Sequence, residues 1–389
     1  MATTHVFIVD STTFKIHLEY LFVGTGAKDN VVDFNNSVNS KLYPTTENML
    51  VSMIADASRI RRDDFIVFYL QQNFSEKIPE GKFYGIFKAK DNWSFLDNND
   101  ARQYLKNDLD KSLTFRTLIK PYKIYPEGVT EWEALDEIKS IRSPNQMLWS
   151  LIYRKLKGNR GNTMITIYES ERLCQLIRNK NNRKELKNAN KLLSFNPKKQ
   201  RVICLNKPLR RYTGRQKEIN VLPRLISKLK QKKSFEPHLQ AYIVKNIGRN
   251  INKNLDKLIL GNGKIEWIGN EVSCGVGMQR IDIMISLLDN NQRIVIPIEL
   301  KAVEADMNNA TQIQRYVDWI EQYYIPNRSS DIQPILVSKK ITNKNTENFR
   351  KIIESFKNFN SSNGAKSNKL RYIEFFVKNN DLVFEEINY

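Results

Sequence analysis

Histidine and cysteine are scarce in this chain, with three of each in 389 residues. Cys174, Cys204 and Cys274 lie far apart and are odd in number, which excludes a disulfide framework or a cysteine-rich zinc site. His5, His17 and His238 are equally scattered, which argues against chemistry built on histidine clusters or zinc. No apolar run reaches the roughly 18 residues of a membrane-spanning helix. The opening MATTHVFIVD has neither a basic region nor a long apolar stretch, so no signal peptide is expected and a cytoplasmic location is.

Acidic residues are also in short supply. Lys and Arg number 62 against 42 Asp and Glu, a formal charge of +20. The excess is local: Arg178–Lys233 holds 19 Lys/Arg and only Glu185 and Glu218, and so supplies +17 of the +20. A concentrated basic stretch is how a polyanion-binding surface appears in sequence. The bland alternative is a solvated linker, against which the interspersed Leu192, Leu193, Phe195, Val202, Ile203 and Leu205 argue. The length predicts about two domains, each able to bury a core.

The most informative stretch is Arg280–Lys301, RIDIMISLLDNNQRIVIPIELK. Ile281, Ile283 and Ile285 alternate with Asp282, Met284 and Ser286; Ile294, Ile296, Ile298 and Leu300 alternate with Val295, Pro297, Glu299 and Lys301. This period of two predicts a hairpin turning at Asp289-Asn290-Asn291-Gln292. If Leu288 faces Arg293, then Asp282 faces Glu299, and opposed residues share a face with Cβ atoms roughly 5 Å apart. Lys301, two residues on, shares that face. The aliphatic face is the expected core side. Two close carboxylates repel, and a divalent cation between them removes the repulsion. Such a metal can activate water at a phosphoryl centre, and the lysine can orient the water or offset developing charge. The alternative is a solvated sheet face with a salt bridge. Pro297 is an irritant, because a central strand wants its N–H.

Helical spacing follows over 303–323, with Ile313, Val317 and Ile320 as a core stripe and Gln312 and Tyr316 one turn apart on a neighbouring face. This D…ExK hairpin with a helical QxxxY resembles the PD-(D/E)xK nuclease superfamily in its RecB-like branch. RID, ELK and QIQRYVDWI are also similar to the nuclease domain of archaeal NucS-type mismatch endonucleases, over about residues 234–340. The resemblance implies that Asp282 and Glu299 hold Mg²⁺ (or Mn²⁺), that Lys301 assists the attacking water, and that Gln312 and Tyr316 shape the site. Glu236, in the first turn of a helix expected to be capped by Ser234 with Pro237 beside it, matches the acidic residue such nucleases carry on their first helix. It is equally a carboxylate favoured by the helix dipole. Cys274–Gln279, with Gly275 and Gly277, either admits a phosphate to the backbone next to Arg280 or is only a turn.

Upstream, His5–Asp10, Asp64–Gln71, Lys82–Lys90, Leu113–Ile119, Lys123–Tyr125 and Met164–Tyr168 read as strands. Phe14–Phe22, Thr46–Ile60, Trp132–Ile141 and Asn145–Lys155 read as helices. HVFIVDSTTFKIHLEYLFVGTG, FIVFYLQ and GKFYGIFKAK resemble the YTH/EVE branch of the PUA-like fold over about residues 5–140. The resemblance implies a nucleobase pocket, with Ser11 and Thr12 at a base edge and Trp93 as an aromatic wall. Phe22 and Val23 stand near where YTH modules carry a tryptophan, which puts a methyl-adenine cage in doubt. Trp93, like Trp132, is otherwise an ordinary aromatic.

The expected fold is thus an α+β PUA-like domain (1–177), a basic connector (178–233) with Arg210, Arg211 and Arg215 on phosphates, and an α/β PD-(D/E)xK domain with a mixed sheet (234–389). The expected function is a Mg²⁺-dependent DNA endonuclease of type II restriction character acting on double-stranded DNA, with dependence on a modified base as one form of it. A homodimer is expected, since cutting both strands takes two sites. A mismatch or repair endonuclease is the first alternative. A non-catalytic nucleic-acid-binding protein with a degenerate nuclease domain is the second.

Overall fold

The computed structural model describes residues 2–27, 30–34, 42–148, 150, 161–187, 191–274, 279–326 and 330–389. The protein is a mixed α/β chain with several sheets and two compact units, one of residues 1–33 and 56–219, the other of residues 34–55 and 220–389. Much of the Asn145–Lys155 helix expectation, and Gly275 and Gly277, fall outside the described residues.

In the first unit a nine-stranded sheet runs in the order Lys217–Glu218, Phe95–Leu96, Phe115–Pro121, Lys82–Ala89, Phe65–Leu70, Thr4–Val9, Asn162–Ile165. Phe22–Thr25 pairs with Phe115–Pro121, and Val129–Thr130 with Lys82–Ala89. Alternation along Phe65–Leu70 divides the core between the two faces. Ile66, Phe68 and Leu70 pack with Phe14 of the helix Ser11–Tyr20, while Val67 and Tyr69 pack with Leu173 and Ile177 of the helix Ile167–Lys180. Asp10 caps the first of these helices, accepting the Thr13 N–H at 2.7 Å.

The basic stretch is not a separate connector. Lys191–Asn196 and Arg201–Pro208 form a hairpin whose Leu193, Phe195 and Val202 are buried in the first unit, the Phe195 ring 4.9 Å from that of Phe14. Its apolar residues need burial, and this core supplies it. The helix Leu222–Lys230 belongs to the second unit.

The second unit holds a mixed sheet in the order Lys264–Ser273, Arg280–Asp289, Gln292–Lys301, Ile335–Lys339, Arg371–Lys378, Asp381–Ile387, with Asp331–Ile332 beside Gln292–Lys301. The hairpin register is the expected one, Leu288 facing Arg293. Asn290 and Asn291 take positive φ (48° and 67°), as a two-residue hairpin turn requires. Pro297 is tolerated in an interior strand because the parallel partner is broken: Asp331–Ile332 pairs with Ile294–Val295, Ile335–Lys339 resumes at Ile298, and Gln333-Pro334 lie in the gap. The face that carries Asp282 and Glu299 is covered and not a solvated sheet face, with Met284 and Ser286 fully buried and Glu299 1 % exposed. The helix Asn308–Trp319 and the π-turn Ile320–Tyr324 lie over it, the Tyr324 hydroxyl 3.1 Å from Ser286 Oγ. Ser234 does not cap the helix Glu236–Asn246, which begins after Phe235 with no side-chain cap.

Candidate active site

Pairing of the Asp282 and Glu299 strands is in register up to Ile283 opposite Ile298, and Asp282 and Glu299 stand at the next position on each strand, just beyond the last paired residues. Asp282 Oδ2 accepts the Leu300 N–H at 2.8 Å, a bond that ties its carboxylate to the ExK strand. Burial and then the negative charge of Glu299 push the Asp282 carboxyl well above its usual range.

Glu299 is gripped from both sides. Lys301 Nζ lies 2.5 Å from Oε1, and the Tyr316 hydroxyl donates to Oε2 at 2.7 Å, with the Arg280 carbonyl 2.9 Å from the same hydroxyl. Gln312 Nε2 donates to the Tyr316 oxygen at 2.9 Å, and Lys301 Nζ lies 3.4 Å from Gln312 Oε1. Glu299, Lys301, Gln312 and Tyr316 therefore close a ring of polar contacts. Helical geometry makes this possible, because Gln312 and Tyr316 are one turn apart. Burial alone would lower the Lys301 pKa, but the charge and hydrogen bond of Glu299, with the charges of Glu236 and Asp282, together raise it, so the ammonium is charged at neutral pH. Burial and then the Glu299 charge drive the Tyr316 phenol far above its ordinary value, so it stays a donor.

Glu236 belongs to the same cluster. Burial raises its pKa, opposed by Lys301 and the Ala302 N–H and reinforced by Glu299. Two neighbours were given no place at the carboxylates from sequence. Gln240 donates from Nε2 to the Asp282 carbonyl at 2.9 Å; its spacing of one turn from Glu236 was the available signal. The Cys274 thiol is pushed up to about 12 by burial and then by the charges of Glu299 and Asp282. Its place at the start of the loop that leads into Arg280 was the available signal. Among the described residues no three His, Cys, Asp or Glu side chains are gathered as a metal-binding group, so protein carboxylate ligation would rest on Asp282 and Glu299.

An open groove of about 420 Å³ leads to this ring, lined by Gln279, Arg280, Asn308, Thr311, Gln312, Arg315 and Tyr316. Arg280 lines it while its guanidinium pairs with Glu271 at 2.6 Å.

The residues expected to bind nucleic acid in the first unit are not assembled. Thr4 pairs with Phe65, which pairs with Lys88; Val9 pairs with Leu70, which pairs with Lys82. Ser11 and Thr12 follow the Val9 end of these strands, and Trp93 follows the Lys88 end, so they do not share a pocket. Ser11 is buried with an unpartnered Oγ, Thr12 is exposed, and Trp93 packs on Phe95. Arg215 is clamped by Asp97 (2.9 Å) and Asp100 (2.8 Å), and Arg210 by Glu19 (2.8 Å) with its guanidinium over Tyr20. These pairs compensate acids within the unit, which is why the two arginines do not stand free for phosphate. Arg211 is exposed.

No family model matches the chain, and no curated protein does. Among solved structures it is similar to that of the human THYN1 protein in complex with 5-methylcytosine-containing DNA. The identity is 11 %, the match covers 45 % of this chain and 97 % of that one, and the TM-score is 0.25, too slight a likeness to carry an argument. No helix among the described residues is long and apolar enough to cross a membrane.

Proposed function

We propose that this chain is a divalent-metal-dependent DNA endonuclease of the PD-(D/E)xK type, working as a restriction enzyme on duplex DNA and pairing with a second copy to cut both strands. The observation that carries the reading is the closed ring of Glu299, Lys301, Gln312 and Tyr316 beside Asp282, at the head of a groove flanked by Arg280 and Arg315. A salt bridge on a sheet face would not need a glutamine and a tyrosine from a helix to fix it. In this reading the first unit supplies target choice as a PUA-like reader.

The donor chemistry fits Mg²⁺ or Mn²⁺. Asp282 and Glu299 are hard oxygen ligands, and the raised Asp282 pKa reflects a carboxylate pair whose burial and repulsion a cation would relieve. Bound there, the ion supplies Lewis-acid polarisation of the phosphate and a more acidic water. The chain's own groups do the rest. Tyr316 and Lys301 hold Glu299 in a single orientation. Lys301, charged at neutral pH, is a donor and not a base; it orients water or meets the negative charge that develops on the phosphoryl oxygens. Gln312 limits where the ammonium can go.

The test is nicking of supercoiled plasmid by the full chain, with Mg²⁺ and with EDTA, on perfect and mismatched duplexes. Metal-dependent nicking that Asp282→Ala abolishes supports the proposal. Cutting confined to mismatched duplex replaces restriction with repair, and no cutting in either metal removes the enzyme reading.

A further inference from the structure

The failure of Ser11, Thr12 and Trp93 to meet leaves the first unit without the reading site expected of it. A different part of its surface has the required chemistry. Along the helix Ile167–Lys180 runs a cavity of about 600 Å³, which shares Glu171, Gln175 and Asn179 as lining with a second of about 500 Å³. The larger is floored by Phe65 and Tyr125 and carries Lys123, Arg178 and Arg183.

Phe65 does not stand alone there. Its ring stacks on Tyr122 with centroids 5.7 Å apart and planes 27° from parallel, and Tyr122 is 44 % exposed. Lys88 Nζ lies 4.2 Å from the Tyr122 centroid and Lys123 Nζ 5.7 Å. A stacked aromatic pair under two ammonium groups, at the rim of a cation-lined cavity, joins base-stacking surface to phosphate-binding charge. The Arg178 Nε is buried without a partner, so part of its donor capacity is unspent. Acids are present too. Glu185 lies 4.0 Å from Lys123 Nζ and accepts from the Tyr125 hydroxyl at 3.4 Å, and Glu171 lines both cavities. A simple phosphate-binding trough would not carry them. Carboxylates and the Gln175 and Asn179 amides suit the exocyclic amino groups of a base edge.

We infer that this groove binds a single DNA strand or an extruded nucleotide, with a base against the Phe65–Tyr122 pair and phosphates on Lys123, Arg178 and Arg183. A duplex is too wide for cavities of this size, whereas a nucleotide falls within the roughly 300–1,000 Å³ of ordinary small-molecule sites. The inference rests on the reading of the chain as a DNA-acting protein, and it places target reading on a different surface from the Ser11 turn.

The experiment measures binding of a short fluorescent single-stranded DNA of mixed sequence to the full chain in EDTA across a salt series. A matching strand carrying halogenated uracil is photo-crosslinked and the adduct mapped by mass spectrometry. Tyr122→Ala is expected to weaken binding roughly 5- to 150-fold, the range for loss of one stacked base. Lys123→Ala with Arg183→Ala is expected to lower the log–log salt slope by about 0.7 per lost phosphate contact. Adducts are expected on Tyr122, Phe65 or Tyr125. Wild-type affinity and slope in both variants, with adducts elsewhere, overturn the groove. Tighter binding of RNA of the same sequence overturns it as a DNA site. Unchanged plasmid nicking beside such a result leaves the nuclease reading standing, while a wild-type chain that neither nicks nor binds DNA removes both. Unchanged melting temperatures in the variants exclude misfolding as the cause of a loss.

Discussion

The Tyr316 hydroxyl donates to Glu299 at 2.7 Å, joining a helix to the interior strand it covers through a carboxylate that is 1 % exposed. Glu299 has Lys301 on its other oxygen, so the tyrosine is half of what keeps a buried charge hydrogen-bonded. Tyr316→Phe preserves the ring and removes the donor, leaving Oε2 unsatisfied. The expected cost is about 1–3 kcal/mol of stability, read by denaturant unfolding. Nicking is expected to fall about tenfold or more as Glu299 loses its fixed orientation. Full activity in the phenylalanine variant would reduce Tyr316 to packing.

The Asp282 carboxyl is displaced in the opposite sense from that of a well-paired acid. Its folded-state pKa is raised above the ordinary 3.8 by burial and by Glu299. A group so shifted contributes most to stability below its unfolded pKa, and that contribution is lost as pH rises through the folded value. At neutral pH without metal, Asp282 is therefore a burden on the fold. Asp282→Asn keeps an acceptor for the Leu300 N–H and removes the charge. In EDTA its melting temperature is expected to match the wild type near pH 4 and to exceed it increasingly as pH rises. Mg²⁺ is expected to narrow the gap by stabilising the wild type alone. A pH-independent difference would contradict the raised pKa.

These two residues mark what was legible beforehand and what was not. The hairpin register, the Asp282–Glu299 opposition and the Gln312–Tyr316 spacing follow from periods of 2 and 3.6, which are local properties. Burial of the carboxylate face depends on where the helix after Lys301 packs, and no local pattern states that. The hairpin within the basic stretch was hidden by its charge, although Leu193, Phe195 and Val202 carried the signal for burial. Placing Trp93 with Ser11 failed because it needed the order and direction of three strands, whereas a motif supplies only their sequence.

Removing either acid separates chemistry from binding. Asp282→Ala and Glu299→Ala are each expected to reduce Mg²⁺-dependent nicking at least about a hundredfold. DNA affinity measured in EDTA should hold or rise, because a carboxylate near phosphate is repulsive. Equal loss of binding and cutting would show that the variants damage the fold and not the chemistry.

Arg211 and Arg215, both expected from sequence as phosphate contacts, should behave differently from each other. Arg215 donates to Asp97 and Asp100, and Asp97 also pairs with Arg116, where both side chains are fully buried. Arg215→Ala is expected to lower the melting temperature, since it strips one of two cations from a buried acid. Arg211 is exposed, and Arg211→Ala is expected to leave melting unchanged. If Arg211 meets a phosphate of duplex DNA, the salt slope falls by about 0.9. Salt titrations and melting curves on the same two proteins decide it, and identical behaviour of the two would contradict the assignment.

The second unit depends on a residue far from its nuclease-like sequence. Glu47, on the helix Pro44–Ser58, bonds Arg224 at 2.7 Å and His238 at 2.8 Å, with Lys228 at 3.4 Å. The carboxylate is 1 % exposed. Burial alone would raise its pKa, but the bonds from Arg224 and His238 and the charge of Lys228 prevail and hold it well below the ordinary 4.5. A depressed carboxyl stabilises the fold above its unfolded pKa and ceases to as pH falls through the folded one. Glu47→Gln therefore loses most near neutral pH. Breaking a buried ion pair by removing one partner costs about 3–5 kcal/mol, which in a unit of this size is roughly a 10 °C fall in melting temperature. The deficit should shrink as pH drops below about 4.5, the ordinary carboxyl value. A fragment of residues 234–389 keeps Asp282, Glu299, Lys301, Gln312, Tyr316 and Glu236 but lacks Glu47, Arg224 and Lys228, so it is expected to be poorly folded and inactive at 37 °C. Restoring residues 34–55 as a separate peptide should recover little, since ordering a free segment is entropically costly. Circular dichroism melts of the fragment and of full-length Glu47→Gln are the measurement. A fragment that melts cooperatively with wild-type metal-dependent nicking would show that the Glu47 cluster is dispensable.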